Sequence, residues 1–469
     1  MVIRSLVIIL FALPAWAQTD GATRQLSHDI FRQLIEINTT DSSGDNTAAA
    51  RAMAKRLLDA GYPAADVRVL IPEGYPKKGN LVARLHGPAG GRLRPILMIG
   101  HLDVVEALRA DWTTDPFQFV EKDGYFYGRG TQDMKSQDAM LITTFLRFKK
   151  EGYRPSRDLI LALTSDEEGG PANGVDWLLK NHRDLIDADF VLNADAGGVT
   201  AEKGKAVEVD VAAAEKVYAD FELTVKNPGG HSSLPRPDNA IYRLADALGR
   251  LEHLPFPFEL NGVTRAYFER LASSETGAKA ADLKAILRSP PDAAAIARVS
   301  ADPQYNSMLH TTCVPTRLNA GHANNALPQT AQAIVNCRIL PGHTPESVRQ
   351  ELIGKLADPK VVVQYVTNGK ISDRAPEQAG PLPGRPREDV IRPLERVASQ
   401  LWPGAPVVIE METGATDSKY TNAAGMPSYG VGEEAIERGD IRAHGKDERL
   451  GVDSFYQGVD FFYRYLKSF

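Results

Sequence analysis

Between residues 26 and 211, short continuous runs of apolar residues alternate with longer segments in which apolar residues recur at helical spacing. Continuous apolar strands are typical of a mainly parallel sheet whose two faces are both covered by helices. The pattern predicts strands at residues 80–85, 95–99, 159–163 and 190–192, and helices at residues 48–60, 136–149 and 174–180. We therefore expect an α/β fold in which helices flank a mixed, mainly parallel sheet.

From about residue 214 the order of the predicted elements changes. The pattern predicts strands at residues 217–225, 311–318, 331–338 and 361–366, and helices at residues 239–251 and 346–356. The resulting β-α-β-β-α-β order is the ferredoxin-like arrangement of a two-layer α+β domain. An Ala-rich, charged segment at residues 255–305, which is predicted to be helical, interrupts this unit.

The chain of 469 residues is longer than one hydrophobic core usually serves, so two domains are expected. A Pro- and Gly-rich linker at residues 375–386 precedes a last segment with predicted helices at 389–400 and 455–466 and a strand at 407–410. We interpret this segment as the first domain resumed. The larger domain then comprises residues 18–213 and 371–469, and the smaller domain, residues 214–370, is inserted into it.

The first 17 residues have the pattern of a secretory signal peptide, because Arg4 precedes an apolar stretch and small residues, Ala15 and Ala17, occupy the cleavage positions. The apolar stretch is shorter than the roughly 20 residues that a membrane-spanning helix requires. We therefore expect a periplasmic or secreted protein that is not attached to a membrane once the peptide has been removed.

Charge and cysteine content exclude two further classes of protein. The formal net charge of −6 argues against nucleic-acid binding, for which a basic patch is expected. Cys313 and Cys337 are the only cysteines, which excludes a metal site built from four thiolates. They could form a disulfide in an oxidising compartment or remain as two unpaired buried thiols, and sequence separation leaves both open.

Polar residues directly follow three of the predicted strands. These residues are His101 and Asp103 after the first strand, Asp166, Glu167 and Glu168 after the second, and Asp195 after the third. Because the carboxyl ends of parallel strands line one crevice, these side chains are expected to converge. Carboxylates held close together repel, so a cation or a bound proton must neutralise them. Ligands of the His and carboxylate type suit Zn²⁺, with Mn²⁺ or Co²⁺ as possible occupants.

Two more candidate ligands are Asp133, on a loop bounded by glycines, and His444, in a late loop. One of the adjacent glutamates, Glu167 and Glu168, can bind metal while the other takes a proton from the attacking water. Asp103, two residues after His101, fits a supporting role in which it orients the imidazole or a bridging water.

Eight motifs then identify a family resemblance. They are HLDVV, GRGTQDMK, TSDEEGG, NADAGG, KNPGGHSS, NNALPQTAQAIVNCR, GATDS and AHGKDE, in this order along the chain. The set resembles the M20 family of dinuclear zinc exopeptidases and deacylases over nearly the whole chain after the signal peptide. Residues 111–130 are most similar to the branch of carboxypeptidase S and the secreted N-fatty-acyl amino acid hydrolases.

The resemblance implies a pair of zinc ions bridged by Asp133. His101 and Asp195 would complete one metal site, and Glu168 and His444 would complete the other. Glu167 would be the general base of this catalytic centre, next to the supporting Asp103.

The resemblance also implies roles in the inserted domain, which in this family forms a lid and often mediates dimerisation. His231 would help to stabilise the oxyanion, sometimes across a dimer interface, and Asn325 and Arg338 would bind polar groups of the substrate, together with Thr416 of the larger domain. A guanidinium such as that of Arg338 can bind a carboxylate bidentately.

Two features depart from the family pattern. The GATDS motif continues with Lys419 where many relatives have an Arg, which puts the substrate contact at that position in question. The insertion at residues 255–305 could cover the surface used for dimerisation, in which case the chain would be a monomer and His231 would act within its own chain.

The leading hypothesis is an exported, zinc-dependent exopeptidase of the carboxypeptidase type, which hydrolyses an amide next to a free α-carboxylate. The alternative is an N-acyl amino acid deacylase, because the motifs say little about the acyl side of the substrate. A non-catalytic protein that binds metal or peptide is a remote alternative, since Glu167 is present. A serine hydrolase is excluded, because no Gly-x-Ser-x-Gly motif follows a predicted strand.

Overall fold

The computed structural model describes residues 20–254, 256–367, 369–432 and 434–469. The predicted signal peptide, residues 1–17, lies outside the described residues. None of the helices within the described ranges combines the length and the apolar character that a bilayer-spanning helix requires.

The strands are numbered in chain order. They are β1 (Val67–Leu70), β2 (Asn80–Leu85), β3 (Ile96–His101), β4 (Val120–Lys122), β5 (Tyr125–Tyr127), β6 (Leu159–Thr164), β7 (Phe190–Asn193), β8 (Gly198–Glu202), β9 (Lys205–Glu215), β10 (Val217–Lys226), β11 (Gly230–His231), β12 (Thr312–Ala320), β13 (Ala326–Leu327), β14 (Thr330–Ile339), β15 (Val361–Thr367), β16 (Lys370–Ser372), β17 (Val407–Glu412), β18 (Ser428–Gly430), β19 (Ala435–Glu437) and β20 (Arg449–Gly451).

The helices are numbered in the same way. They are α1 (Gly21–Glu36), α2 (Asn46–Asp59), α3 (Lys135–Glu151), α4 (Gly174–Asn181), α5 (Arg183–Ile186), α6 (Ala240–Glu252), α7 (Gly262–Ser274), α8 (Gly277–Ile286), α9 (Ala293–Val299), α10 (Pro303–Leu309), α11 (Pro345–Leu356), α12 (Glu388–Leu401), α13 (Ser418–Ala423) and α14 (Val452–Leu466).

The larger sheet has the strand order β1-β2-β6-β3-β7-β18-β9-β8-β19, with β17 paired to β9. Its centre is parallel, because β3 pairs in parallel with β6 and β7, and β7 pairs in parallel with β18. The outer pairs β1–β2, β2–β6 and β8–β9 are antiparallel. The predicted mixed, mainly parallel α/β sheet is confirmed.

Both faces of the central strands are covered, which explains their continuous apolar sequences. Every residue of β3 and β6 is buried. Met98 and Leu161 pack into one core with residues of α1, α2, α3 and α14, whereas Leu97 and Ile160 pack on the opposite face with residues of α4 and α5. The side chains of a strand alternate between its two faces, so two covered faces require apolar residues at every position.

The smaller sheet has the order β12-β14-β10-β15-β16, and each of its pairs is antiparallel. Along the chain the elements follow the order β10-α6-β12-β14-α11-β15, which is the predicted β-α-β-β-α-β pattern. Helices α6 and α11 supply Leu244 and Leu352 to a core on one face of this sheet. The exact domain boundaries remain a prediction.

Helices α7 to α10 form the segment that interrupts this pattern. Their apolar side chains, among them Phe268, Leu283 and Met308, form a third core that also contains Ala214, Leu340 and Met411. These three residues come from β9, the end of β14 and β17. The helical insertion therefore packs against strands of both sheets, while residues 314–320 of the edge strand β12 are exposed.

Cys313 and Cys337 form a disulfide, with their Cα atoms 4.1 Å apart. They lie directly opposite each other on β12 and β14. The choice between paired and free thiols, which the sequence left open, is resolved by the register of these two strands.

Candidate metal centre

The carboxyl ends of three neighbouring parallel strands deliver the candidate residues to one edge of the larger sheet. His101 is the last residue of β3, Glu167 and Glu168 follow β6, and Asp195 follows β7. Strands β6, β3 and β7 are adjacent, so the three chain segments meet at the same edge. This is the position where open parallel sheets bind their ligands.

Asp133 lies between two histidines that come from distant parts of the chain. Its Oδ1 is 3.1 Å from Nε2 of His101, and its Oδ2 is 3.0 Å from Nε2 of His444. Each histidine has a second carboxylate nearby: Asp195 Oδ1 is 3.4 Å from His101 Nε2, and Glu168 Oε1 is 2.8 Å from His444 Nε2. The arrangement is thus two His and carboxylate sets that share Asp133.

The donor atoms of this cluster fit metal ions. Potential ligand atoms of His101, Glu167 and Asp195 lie within 4.8 Å of one another, and the same holds for His101, Asp133 and Glu168. His101 Nε2 and Asp133 Oδ1 are buried and lie 3.1 Å apart, but they are not aligned for a hydrogen bond, and neither has another hydrogen-bond partner among the described residues. Because buried polar atoms are normally paired, these two atoms are placed as ligands would be.

In the metal-free protein, protons on the histidines balance the carboxylates. Burial lowers the pKa of His101, but the negative charge of Asp195 and contact with Asp133 raise it well above its ordinary value. Hydrogen bonds to Asp133 and Glu168 raise the pKa of His444 to about 10. Burial raises the pKa of Asp195 to about 6. A cation is therefore favoured at both histidine positions.

Asp103 acts on this cluster through both its backbone and its side chain. His101 Nδ1 donates to the Asp103 carbonyl at 3.0 Å, which turns Nε2 towards Asp133. The Asp103 carboxylate accepts the backbone N–H groups of Glu167 and Glu168 at 3.2 and 3.0 Å, and lies 3.8 Å from His101 Nδ1. The imidazole is thus oriented by the carbonyl, while the carboxylate holds the glutamate pair.

Glu167 faces the cluster in an environment that favours its protonated form. Burial and the negative charge of Asp195 raise the pKa of Glu167 well above its ordinary value. The positive charge of Lys419 acts in the opposite direction. A carboxyl group with a raised pKa can accept and return a proton near neutral pH.

The candidates for substrate binding lie outside this cluster. His231 and Asn325 are neighbours, because β11 pairs with β13 and Ser232 N–H donates to the Asn325 carbonyl at 3.0 Å. Arg338, on β14, lies over the ring of Tyr218 at 4.7 Å. Thr416 donates its N–H and its hydroxyl to Glu215, at 2.9 and 2.8 Å. None of the four side chains hydrogen-bonds to the cluster within the described ranges.

Arg129 and Glu448 support the loop of Asp133, and sequence reasoning did not single them out. The Glu448 carboxylate is fully buried and accepts the N–H groups of Gly130, Gln132 and Asp133 at 3.2, 2.7 and 3.1 Å. Arg129 Nη1 donates to the same carboxylate at 2.6 Å. Their positions inside the GRGTQDMK and AHGKDE motifs were the only available signal.

An α/β sheet that presents two His and carboxylate sets and an adjacent glutamate at its carboxyl edge defines a metal-dependent hydrolase. Comparison with known families agrees with this class. The chain belongs to peptidase family M20/M25/M40, whose sequence model matches residues 97–468.

Similar proteins include peptidases and amidohydrolases. A probable carboxypeptidase S-like protein of Dictyostelium discoideum is 28% identical over 80% of this chain and 72% of its own length. An N-fatty-acyl-amino acid synthase/hydrolase of Xenopus tropicalis is 26% identical over 100% of this chain and 93% of its own length. The structure of an M20 metallo-carboxypeptidase from Sulfolobus solfataricus has a TM-score of 0.69 at 15% identity, covering 96% of this chain and 99% of that one.

Proposed function

We propose that the protein is an exported, zinc-dependent exopeptidase of the carboxypeptidase type, which hydrolyses an amide bond next to a free α-carboxylate. The observation that carries the proposal is the position of Asp133, whose two carboxylate oxygens face His101 and His444 at 3.1 and 3.0 Å. Two metal ions with one shared carboxylate would account for both contacts.

In this proposal Asp133 would be shared by two zinc ions, for which Co²⁺ or Mn²⁺ could substitute. His101 and Asp195 would hold one ion, and Glu168 and His444 would hold the other. When bound, the ions lower the pKa of a water molecule and withdraw electrons from the amide carbonyl.

Glu167 is the proposed general base. It would take a proton from the attacking water and pass it to the leaving nitrogen, which its raised pKa suits. The Asp103 carboxylate would hold Glu167 in place through the backbone N–H that it accepts at 3.2 Å.

Three residues of the inserted domain, together with Thr416 of the larger domain, would bind the substrate. His231 would stabilise the oxyanion, and Asn325, Arg338 and Thr416 would bind its polar groups, with Arg338 on the carboxylate. His231 would act either on the cluster of its own chain or on that of a second copy. A homodimer through this unit would use the exposed edge of β12.

Two observations support export. Residues 1–17 have the signal-peptide pattern, and disulfides such as Cys313–Cys337 persist in oxidising compartments. We propose a periplasmic or secreted location on this basis.

An N-acyl amino acid deacylase is the second candidate. The relative from Xenopus tropicalis, which matches the chain from end to end, is a synthase/hydrolase of N-fatty-acyl amino acids. The proposed centre would serve both reactions, because each breaks an amide next to a free carboxylate. A non-catalytic binding protein is disfavoured, since Glu167 is retained beside the cluster.

A matched substrate panel tests the proposal. The zinc-loaded mature protein would be assayed on dipeptides, N-acetyl amino acids and N-long-acyl amino acids, each as the free acid and as the C-terminal amide. Cleavage of free acids alone is expected, and preference for dipeptides over acyl compounds would select the peptidase. Zinc binding without turnover of any compound would contradict the proposed reaction.

A further inference from the structure

Gln132 precedes Asp133 in the chain, and its side chain is buried, with 7% of its surface exposed. Its Nε2 donates to the carbonyls of Asp440 and Arg449, at 3.2 and 2.8 Å. Its Oε1 accepts the N–H groups of Arg442 and Ala443, at 2.6 and 3.0 Å. An amide offers two donors and two acceptor sites, so its capacity is fully used.

All four of these bonds go to the backbone of one segment, residues 440–449, which carries His444. That segment follows β19 and ends on the first residue of β20. His444 itself has a backbone φ of +63°, in the left-handed region that residues with a side chain adopt uncommonly. The His444 side chain is 53% exposed, so packing around the ring contributes little to its position.

We infer that Gln132 is a positioning residue that holds the His444 segment against the Asp133 loop and thereby sets the geometry of the metal site formed by Glu168 and His444. The inference rests on the proposed function, because it assigns a role in one of the two proposed metal sites. His101 is the last residue of β3 and Asp195 follows β7, and within the described ranges the Gln132 amide forms no hydrogen bond with either segment. Loss of the amide should therefore weaken the binding of the metal ion held by Glu168 and His444 and leave the binding of the other ion unchanged.

The test is a zinc titration of the mature protein against a chromophoric chelator. Gln132→Met keeps the approximate volume and removes all four bonds, and Gln132→Glu keeps the acceptor half while replacing the donors. Gln457→Met is the matched control, because the Gln457 amide bonds only to the Trp402 ring nitrogen, at 2.9 Å, in the described structure. We expect Gln132→Met to lower the affinity for one of the two zinc ions about 10–100-fold, and we expect the control to lower the affinity for neither.

A double-mutant cycle with His444→Ala separates positioning from general destabilisation. If Gln132 acts through His444, Gln132→Met should have no further effect on zinc affinity once His444 is absent. Additive effects in the cycle, or equal weakening of both ions, would overturn the inference. Gln132→Glu, in which a carboxylate oxygen would face the Asp440 and Arg449 carbonyls, should weaken binding of the same ion at least as much as Gln132→Met and provides the same comparison should the methionine variant fail to fold.

The titration also distinguishes the inference from the proposed function. Two tightly bound ions in the wild-type protein and unchanged binding in Gln132→Met would overturn the inference alone. Fewer than two ions in the wild-type protein would overturn both the proposed metal pair and the role of Gln132.

Discussion

Asp166, Glu167 and Glu168 are consecutive acids, and each has a different environment. Asp166 is buried, and its carboxylate accepts from Lys78 Nζ at 2.5 Å and from the Ala172 N–H at 3.0 Å. Glu168 contacts His444, while Glu167 lies beside His101 and Asp195. Asp166 therefore stabilises the turn, whereas the two glutamates face the candidate metal centre.

Glu167→Gln should leave the zinc content near that of the wild-type protein while kcat falls about 10²–10⁴-fold, because an amide cannot carry the proton. Metal analysis and steady-state kinetics on the same sample check this. Glu73→Gln, at an exposed position, is the matched control and should change neither quantity. Equal loss of zinc and kcat would show that Glu167 is a ligand instead.

The proton on His444 makes the stability of the metal-free protein depend on pH. Its folded-state pKa of about 10 is higher than the value of about 6.5 for an unfolded histidine. This proton therefore stabilises the fold fully below about pH 6.5, and the stabilisation is lost as the pH rises through about 10.

We thus expect the thermal midpoint of the metal-free wild-type protein to exceed that of His444→Ala most at about pH 6 and to converge with it by about pH 10. His253→Ala, whose imidazole is 82% exposed, is the control and should show no such trend. A constant difference between wild type and His444→Ala across this range would contradict the prediction.

At the scale of elements, the insertion helices α7 to α10 contact the segment between β9 and β10, where the chain leaves the larger sheet and enters the smaller one. Lys216, between β9 and β10, is fully buried, and its Nζ donates to the carbonyls of Ser307 and His310 at 2.9 and 2.8 Å. Because Ala214 and Met411 also pack with these helices, the insertion supports the junction between the two sheets.

The disulfide between β12 and β14 should stabilise the smaller unit, because it closes a loop with a sequence separation of 24 in the unfolded chain. Replacing both cysteines with Ala is expected to lower the free energy of unfolding by about 3 kcal/mol, measured by urea denaturation. Reducing agent should destabilise the wild-type protein similarly and leave the double variant unchanged. Equal stability of oxidised and reduced wild type would refute this.

At the scale of the whole molecule, catalysis would require the two units to act on one substrate. Arg338→Ala should therefore raise the KM for free-carboxylate substrates about 10–100-fold and change that for the C-amidated analogues much less, because the guanidinium would bind the carboxylate through charge-assisted hydrogen bonds. Arg51→Ala, at an exposed position of α2, is the control. Equal effects on acids and amides would remove Arg338 from carboxylate recognition.

Much of the fold was predictable because the spacing of apolar residues is a local property of each element. The predicted strand at residues 80–85 matches β2, and helix α2 begins two residues before the predicted start because Asp45 caps it through the Ala48 N–H. Strands β18 to β20 were not predicted, since three residues are too few for a periodic pattern. Their pairing depends on distant parts of the chain.

The sequence alone determined the class of the protein. The spacing of apolar residues in each strand and helix, and the types of side chain that follow each strand, can be read from neighbouring positions in the chain. Only the tertiary structure decided that Asp166 pairs with Lys78, that Cys313 bonds to Cys337, and that the Gln132 amide binds the His444 segment. The physical reason is that these outcomes depend on the direction of a side chain and on the burial of its partners. Both arise from contacts between residues that are far apart in the chain.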